Sequence, residues 1–157
     1  MSKVRGYLID VNHISAHFSQ ESSFMAILRT VPPHNLIRLS VVTLGEIHAG
    51  HEMTAATDDE RRRAYRQFIV DQYSHLSLEI TASTTESYAA ILGRIWRKHP
   101  PDNKKVGTDR HLLTLGVHTN DVWLAASGWE HGLIVLTRDG MSCIQEVMPE
   151  VVFKSWL

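Results

Sequence analysis

The sequence predicts an α/β fold built on a central, mainly parallel sheet of four or five strands with helices on both faces. Three observations carry that prediction. Short apolar runs recur without clean polar–apolar alternation, as strands covered on both faces do. Segments with helical spacing and recognisable ends separate them. At 157 residues the chain is long enough for one sizeable core and short for two, so 1–157 is read as a single domain.

The strands are "GYLI" (6–9), "LIRLSVV" (36–42), "LSLEI" (76–80) and "LIVLT" (133–137), with a weaker fifth, "VVF" (151–153). "DDERRRAYRQFIVDQYSHL" (58–76) reads as a helix, with acids in its first turn and apolar residues near helical spacing. "STTESYAAILGRIWRKHP" (83–100) opens with Ser83 and Glu86 as a capping box and stops before Pro100. "DVWLAASGWEHG" (121–132) starts with an acid and has Gly132 beyond its end, the usual polarity of a helix. "PPDNKKVGTDR" (100–110) is expected to be a loop. Strands alternating with helices imply helices layered on a parallel sheet.

A parallel sheet has a geometric consequence. Strand C-termini and the N-termini of the packed helices crowd one edge, and that edge is where such sheets bind ligands. Asp10 follows the first strand. Glu46 lies early in a helix after the second, Asp121 begins the helix leading into "LIVLT", and Asp139 follows that strand. Each also has an ordinary structural reading. Asp10 with Asn12 suits an Asx-turn, and Asp139-Gly140 a simple turn. Thr43 and Glu46 match a capping box, and Asp121 complements a helix dipole. Glu86 meets the same edge criterion, so geometry nominates five acids, and only the strand order can say which converge.

Bulk properties narrow the classes. A net charge of −1 gives no general attraction to polyanions, although local basic clusters can still follow a phosphate backbone. The single cysteine, Cys143, cannot form an intramolecular disulfide, which suits a reducing cytosol. No signal-peptide pattern opens "MSKVRGYLID", and no apolar run is long enough to cross a bilayer. A cytoplasmic protein is expected.

Three blocks, "YLIDVNHIS", "LSVVTLGEIHAG" and "NDVWLAASGWEHGLIVLTRD", resemble those of the PIN-domain family, and most closely its VapC-type toxins. The family pattern is met by Asp10 and Asn12; by Ser40, Thr43, Glu46 and Gly50; by Asp121, Ala125 and Ala126; and by Thr137 to Asp139. Val11, Ile47 and Leu124 depart mildly from it, and no acid is lost. The resemblance implies a PIN-like three-layer fold whose strand order brings Asp10, Glu46, Asp121 and Asp139 together. It matches Glu86 to no functional position and leaves that residue its capping role.

The implied activity is metal-dependent endoribonuclease action on structured RNA, tRNA or rRNA, by the toxin of a toxin–antitoxin pair. Clustered carboxylates repel one another unless a cation compensates, and hard oxygen donors suit Mg²⁺ or Mn²⁺. On this reading Asp10, Asp121 and Asp139 surround the principal ion, which generates an attacking hydroxide. Glu46 assists through a water or a second ion about 4 Å away. Asn12 and Thr137 orient ligands or phosphate. The implied partners are the RNA, a VapB-type antitoxin and a second copy in a homodimer.

Other features are read more plainly. Arg61, Arg62, Arg63 and Arg66 form either a solvated helix face or, with Arg94, Arg97, Lys98, Lys104 and Lys105, a surface that follows phosphates. His48 and His51 lack the spacing and third ligand of a zinc enzyme. Trp96, Trp123, Trp129 and Trp156 are core or interface residues. Trp123 and Trp129 lie about 240° apart on their helix, so they are expected to face different neighbours. Cys143 is read as a packed thiol. Two alternatives stand beside the nuclease. An aspartyl-phosphate phosphatase lacks its second acid, since position 12 is Asn. A catalytically silent PIN-like scaffold binding RNA or protein is the other.

Overall fold

The computed structural model describes residues 6–53, 59–139 and 141–157. Its five strands are β1 (Tyr7–Ile9), β2 (Ile37–Ser40), β3 (Ser77–Leu78), β4 (Ile134–Leu136) and β5 (Phe153–Lys154). They form one sheet in the order β3-β2-β1-β4-β5, and every pairing is parallel. The helices are α1 (Val11–Phe18), α2 (Ser22–Leu28), α3 (Val41–Met53), α4 (Asp59–Tyr73), α5 (Ala82–Lys98), α6 (Thr108–Thr114), α7 (Thr119–His131) and α8 (Ser142–Val147). A short 3₁₀ turn, Ser74–Leu76, leads into β3.

The pleat sorts side chains into two cores. Leu8 and Val135 point to one face and pack with Ile91, Ile95, Leu112, Leu124 and Ile144 from α5 to α8. Ile9, Leu39, Ile134 and Leu136 point to the other and pack with Ile14, Phe24, Ile47, Tyr65 and Ile69 from α1 to α4. Both faces are therefore covered, which explains the continuous apolar runs. The architecture is the three-layer α/β arrangement expected.

Strand order also locates a switch point. From β1 the chain moves outward through β2 to β3, then returns to β1's other side as β4 and continues outward to β5. Open parallel sheets bind ligands where the direction of winding reverses, outside the strand C-termini. That place is the β1–β4 pair, with Ile9 opposite Leu136. Asp10 follows one strand, and Thr137, Arg138 and Asp139 follow the other.

Several boundaries differ from expectation. The apolar run after Leu39 does not continue as strand: Ser40 ends β2, and its Oγ accepts the Val42 amide at 3.2 Å as α3 begins at Val41. Thr43 is thus buried inside the first turn rather than acting as the start of a capping box. In α5 the cap is Thr81, whose hydroxyl accepts the Thr84 amide while Thr84 Oγ1 accepts the Thr81 amide. This closed pair displaces the expected Ser83–Glu86 box, and Glu86 stands exposed two residues further on. The segment expected as a loop over 100–110 ends at Gly107, the residue before α6 begins at Thr108. β3 is only two residues long because the helical chain of α4 tightens into the 3₁₀ turn through Leu76. β5 starts at Phe153, leaving Val151 and Val152 before it. Asp58, the first residue of the helix expected over 58–76, lies outside the described residues. Among the described residues no helix is long and apolar enough to cross a membrane.

Candidate metal centre at the carboxyl edge of the sheet

Asp10 leaves β1 in extended conformation (φ −90°, ψ 176°) and caps α1, its Oδ1 accepting the His13 amide at 2.9 Å. The ordinary reading of this acid is thus partly realised, through a helix cap rather than an Asx-turn with Asn12. The same oxygen lies 2.7 Å from His13 Nδ1. Asp10 is largely buried and His13 completely so. Its own amide donates to Leu136 O at 3.1 Å, which pins the residue beside the end of β4.

Asp121 occupies the third position of α7, where its Oδ2 accepts the His118 amide at 2.9 Å. Burial pushes its carboxyl above the ordinary range, against the opposing effect of the His118 amide and ring. The charges of Asp139 and Asp10 push in the same direction as burial. These three acids, separated by up to 129 positions in sequence, therefore share one electrostatic neighbourhood. Asp139 is exposed, and its amide donates to Thr137 Oγ1 at 3.3 Å. Thr137 itself is buried, so its hydroxyl orders the turn after β4.

Glu46 reaches the edge from α3. Its Oε1 accepts the side-chain amide of Asn120, the residue before Asp121, at 3.0 Å. Asn12 is exposed on the first turn of α1. Beside Asp121 and Asp139 opens a cleft of about 430 Å³, walled by Leu115, Val117, His118, Met141 and Cys143. Cys143 is half-buried, and burial followed by the Glu146 charge pushes its thiol up, consistent with a packed residue rather than a nucleophile.

The donor set can be weighed against a divalent cation. The oxygens are hard and anionic, and the mutual repulsion felt at Asp121 is what such an ion relieves. Among the described residues, no three His, Cys, Asp or Glu side chains are grouped closely enough to enclose one ion. Mg²⁺ does not require an all-protein cage. It keeps several waters and is commonly held by one or two carboxylates together with substrate phosphate. The residues present fit an ion of that kind.

Other nominated residues fall elsewhere. Arg62 pairs with Asp59 at 3.9 Å and Arg66 with Glu52 at 3.2 Å, while Arg61 and Arg63 are exposed on α4. Arg94 pairs with Glu150 at 2.9 Å and Lys98 with Glu146 at 3.5 Å. Lys104 and Lys105 are exposed after α5. Since α4 and α5 pack on opposite faces of the sheet, the two basic groups belong to different layers. His51 packs against Tyr65, with ring centroids 5.4 Å apart, and His48 is exposed. Trp123 stacks on Tyr88 at 3.8 Å, and Arg94 lies 5.7 Å over Trp129. Both indoles thus meet α5, contrary to the angular expectation, because the long Arg94 side chain covers the difference. Trp156 is core, and Trp96 packs edge-on against His111.

Three residues at the edge escaped sequence reasoning: His13, His118 and Asn120. His13 had a usable signal, an Asp three residues earlier at a strand end, which is cap spacing. His118 is the N-cap of α7, but histidine is not a typical cap residue. Asn120 had no signal beyond standing next to Asp121.

No family model matches the sequence, and no curated protein matches it. Solved structures do. A chain of VapBC2 from Rickettsia felis, bound to a DNA fragment from its promoter, superposes with a TM-score of 0.71 at 14% identity, covering 96% of this chain and 98% of that one. A chain of FitAcB from Neisseria gonorrhoeae gives 0.67 at 18% identity, covering 94% and 96%. A chain of VapBC-5 from Mycobacterium tuberculosis, of the VapBC family of toxin–antitoxin systems, gives 0.59 at 20%, covering 96% and 98%. Identities this low speak to architecture. The described residues have a PIN-like α/β fold, shared with chains of the VapBC and FitAB complexes.

Proposed function

We propose that this chain is a divalent-metal-dependent endoribonuclease, the toxin member of a toxin–antitoxin pair, acting in the cytoplasm on structured RNA such as tRNA or rRNA. What supports the reading is the placement of Asp10 and Asp139 just after the paired strands β1 and β4, with burial, and then the charges of Asp139 and Asp10, pushing the Asp121 carboxyl up. The likeness of fold to chains of toxin–antitoxin complexes supports it.

In this reading Asp10, Asp121 and Asp139 hold Mg²⁺ or Mn²⁺, with Glu46 assisting from α3. When bound, the ion acidifies a water and neutralises charge on the phosphate being cleaved. Asp10 is kept in place by its helix cap, and Thr137 holds the Asp139 turn. Asn12, exposed beside Asp10, orients phosphate. The products carry a 5′ phosphate and a 3′ hydroxyl. Arg61, Arg62, Arg63 and Arg66 on one layer, or Lys104 and Lys105 on the other, follow the RNA backbone without reading sequence. A VapB-type antitoxin covers the carboxylates and stabilises the toxin by mass action, and the toxin pairs as a homodimer.

The test is cleavage of total cellular RNA by the purified chain, with and without a chelator, alongside Asp10→Asn. Asparagine is as good a helix cap as aspartate, so the substitution removes charge while keeping α1. Cleavage lost both on chelation and in Asp10→Asn supports the nuclease, and sequencing of the new ends identifies the RNA. Cleavage that survives both overturns it. A folded wild type that binds RNA and cuts none favours the silent scaffold, in line with the lack of an enclosed three-ligand group among the described residues.

A further inference from the structure

His13 is a polar side chain at the acidic edge fully shielded from solvent, and the sequence blocks assign it nothing. Its two ring nitrogens have different partners. Nε2 accepts the backbone amide of Trp156 at 3.0 Å. A backbone amide can only donate, so Nε2 carries no proton. Nδ1 therefore carries the ring proton and donates it to Asp10 Oδ1 at 2.7 Å. The ring is held sideways by Phe24, whose centroid is 6.2 Å away at 64°. The C-terminal segment is itself anchored, with the Trp156 indole edge-on to Tyr7 at 4.8 Å and tilted on Phe24 at 5.4 Å.

We propose that His13 is a positioning residue of the metal site, oriented by the C-terminal segment through the Trp156 amide and fixing the Asp10 carboxylate through Nδ1–H. This rests on the nuclease reading above. A helix cap alone ties Asp10 to one donor, the His13 amide. A second donor on the same oxygen, the ring Nδ1–H, restrains the carboxylate further. Ligating groups are commonly aimed in this way by an outer hydrogen bond, whose loss weakens metal binding about 10- to 100-fold. The arrangement ties the first strand's acid to residues near the far end of the chain, 143 positions from His13.

Two substitutions separate the ring's two bonds. Asparagine at position 13 keeps a donor near the place of Nδ1 and loses the acceptor for Trp156. Glutamine keeps an acceptor near the place of Nε2 and loses the donor to Asp10. The experiment is calorimetric titration of Mn²⁺ into the purified full chain: wild type, His13→Asn, His13→Gln and His13→Leu, each checked for folding by circular dichroism. His13→Asn should bind within about threefold of wild type, and His13→Gln at least about tenfold more weakly. A folded His13→Leu should resemble His13→Gln. Equal binding by wild type and His13→Gln overturns the positioning role while leaving the metal reading intact. A folded wild type that binds no Mn²⁺ overturns the metal reading, and this proposal with it. Nitrogen NMR of the wild-type ring gives a readout independent of metal: a proton on Nδ1 supports the arrangement, and one on Nε2 overturns it.

Discussion

The side-chain amide of Asn120 donates to Glu46 Oε1 at 3.0 Å, joining the start of α7 to α3 across a sequence separation of 74. This bond brings the α3 acid to the edge where Asp121 stands. Both partners are exposed, so its energy is modest even though one is charged. Asn120→Ala should lower stability by about 1 kcal/mol. A double-mutant cycle with Glu46→Ala, read by urea unfolding, should return a coupling of about 0.5–1.5 kcal/mol. A coupling near zero would show that the bond does not persist in solution.

Glu130 gives a pH-dependent prediction away from the acidic edge. Burial raises its carboxyl, but hydrogen bonds from Thr84 at 2.5 Å and Thr81 at 3.1 Å, with the His131 charge, outweigh that and hold it below its ordinary range. A depressed folded-state value means the ionised form is favoured by folding. The stabilisation is complete above the unfolded value, about 4.3, and disappears as pH falls through the lower folded value. Glu130→Gln should therefore be less stable than wild type at pH 7, with the gap narrowing progressively below about pH 4.5. Thermal melts at a series of pH values measure it, and a gap constant with pH refutes the assignment.

Gly128 sits where α7 crosses the sheet. A Cβ built there would lie 2.5 Å from Val135 Cγ2 on the interior strand β4. Gly128→Ala should cost about 2 kcal/mol through overpacking, despite alanine's better helix propensity. Adding Val135→Ala should cost less than the same change in the wild-type background, since it removes the colliding methyl. Strict additivity in denaturant melts would show that the helix shifts instead.

The α4 arginines test the proposed RNA surface. Reversing Arg61 and Arg63 to Glu should weaken RNA binding and flatten its salt dependence. On a single strand the logarithmic slope should fall by about 0.7 for each phosphate no longer neutralised. Unchanged binding assigns these residues to a solvated face and leaves Lys104 and Lys105 as the stronger candidates.

The central strands were legible because burial on both faces writes continuous apolar runs, as in Leu8–Ile9 and Ile134–Leu136. The acids at their ends were legible for the same reason, since polarity stops the run abruptly. The short helices α1, α2, α6 and α8 were not. "VNHISAHF" has β-branched and histidine residues where strong helix formers are usual, and it is helical because Asp10 caps it and Ile14 and Ala16 are buried. β3 and β5, at two residues each, carry too little pattern to set their limits. The strand order could not be read, because lateral neighbours such as β1 and β4 are chosen by packing across more than 100 residues. That order is what separates Asp10, Asp121 and Asp139 from Glu86.

Placing β1 at the middle of the sheet has a consequence for biosynthesis. As the chain emerges from the ribosome, β1 can pair early with β2, but its other side waits for β4, and Asp10 waits for Asp121 and Asp139. Pairings this distant in sequence form slowly and late. A nascent polypeptide that has not yet reached α7 thus holds one acid of the three, and the other two join that edge only once α7 and β4 have emerged. Any chemistry that needs all three acids is withheld until β4 and the turn after it have been made.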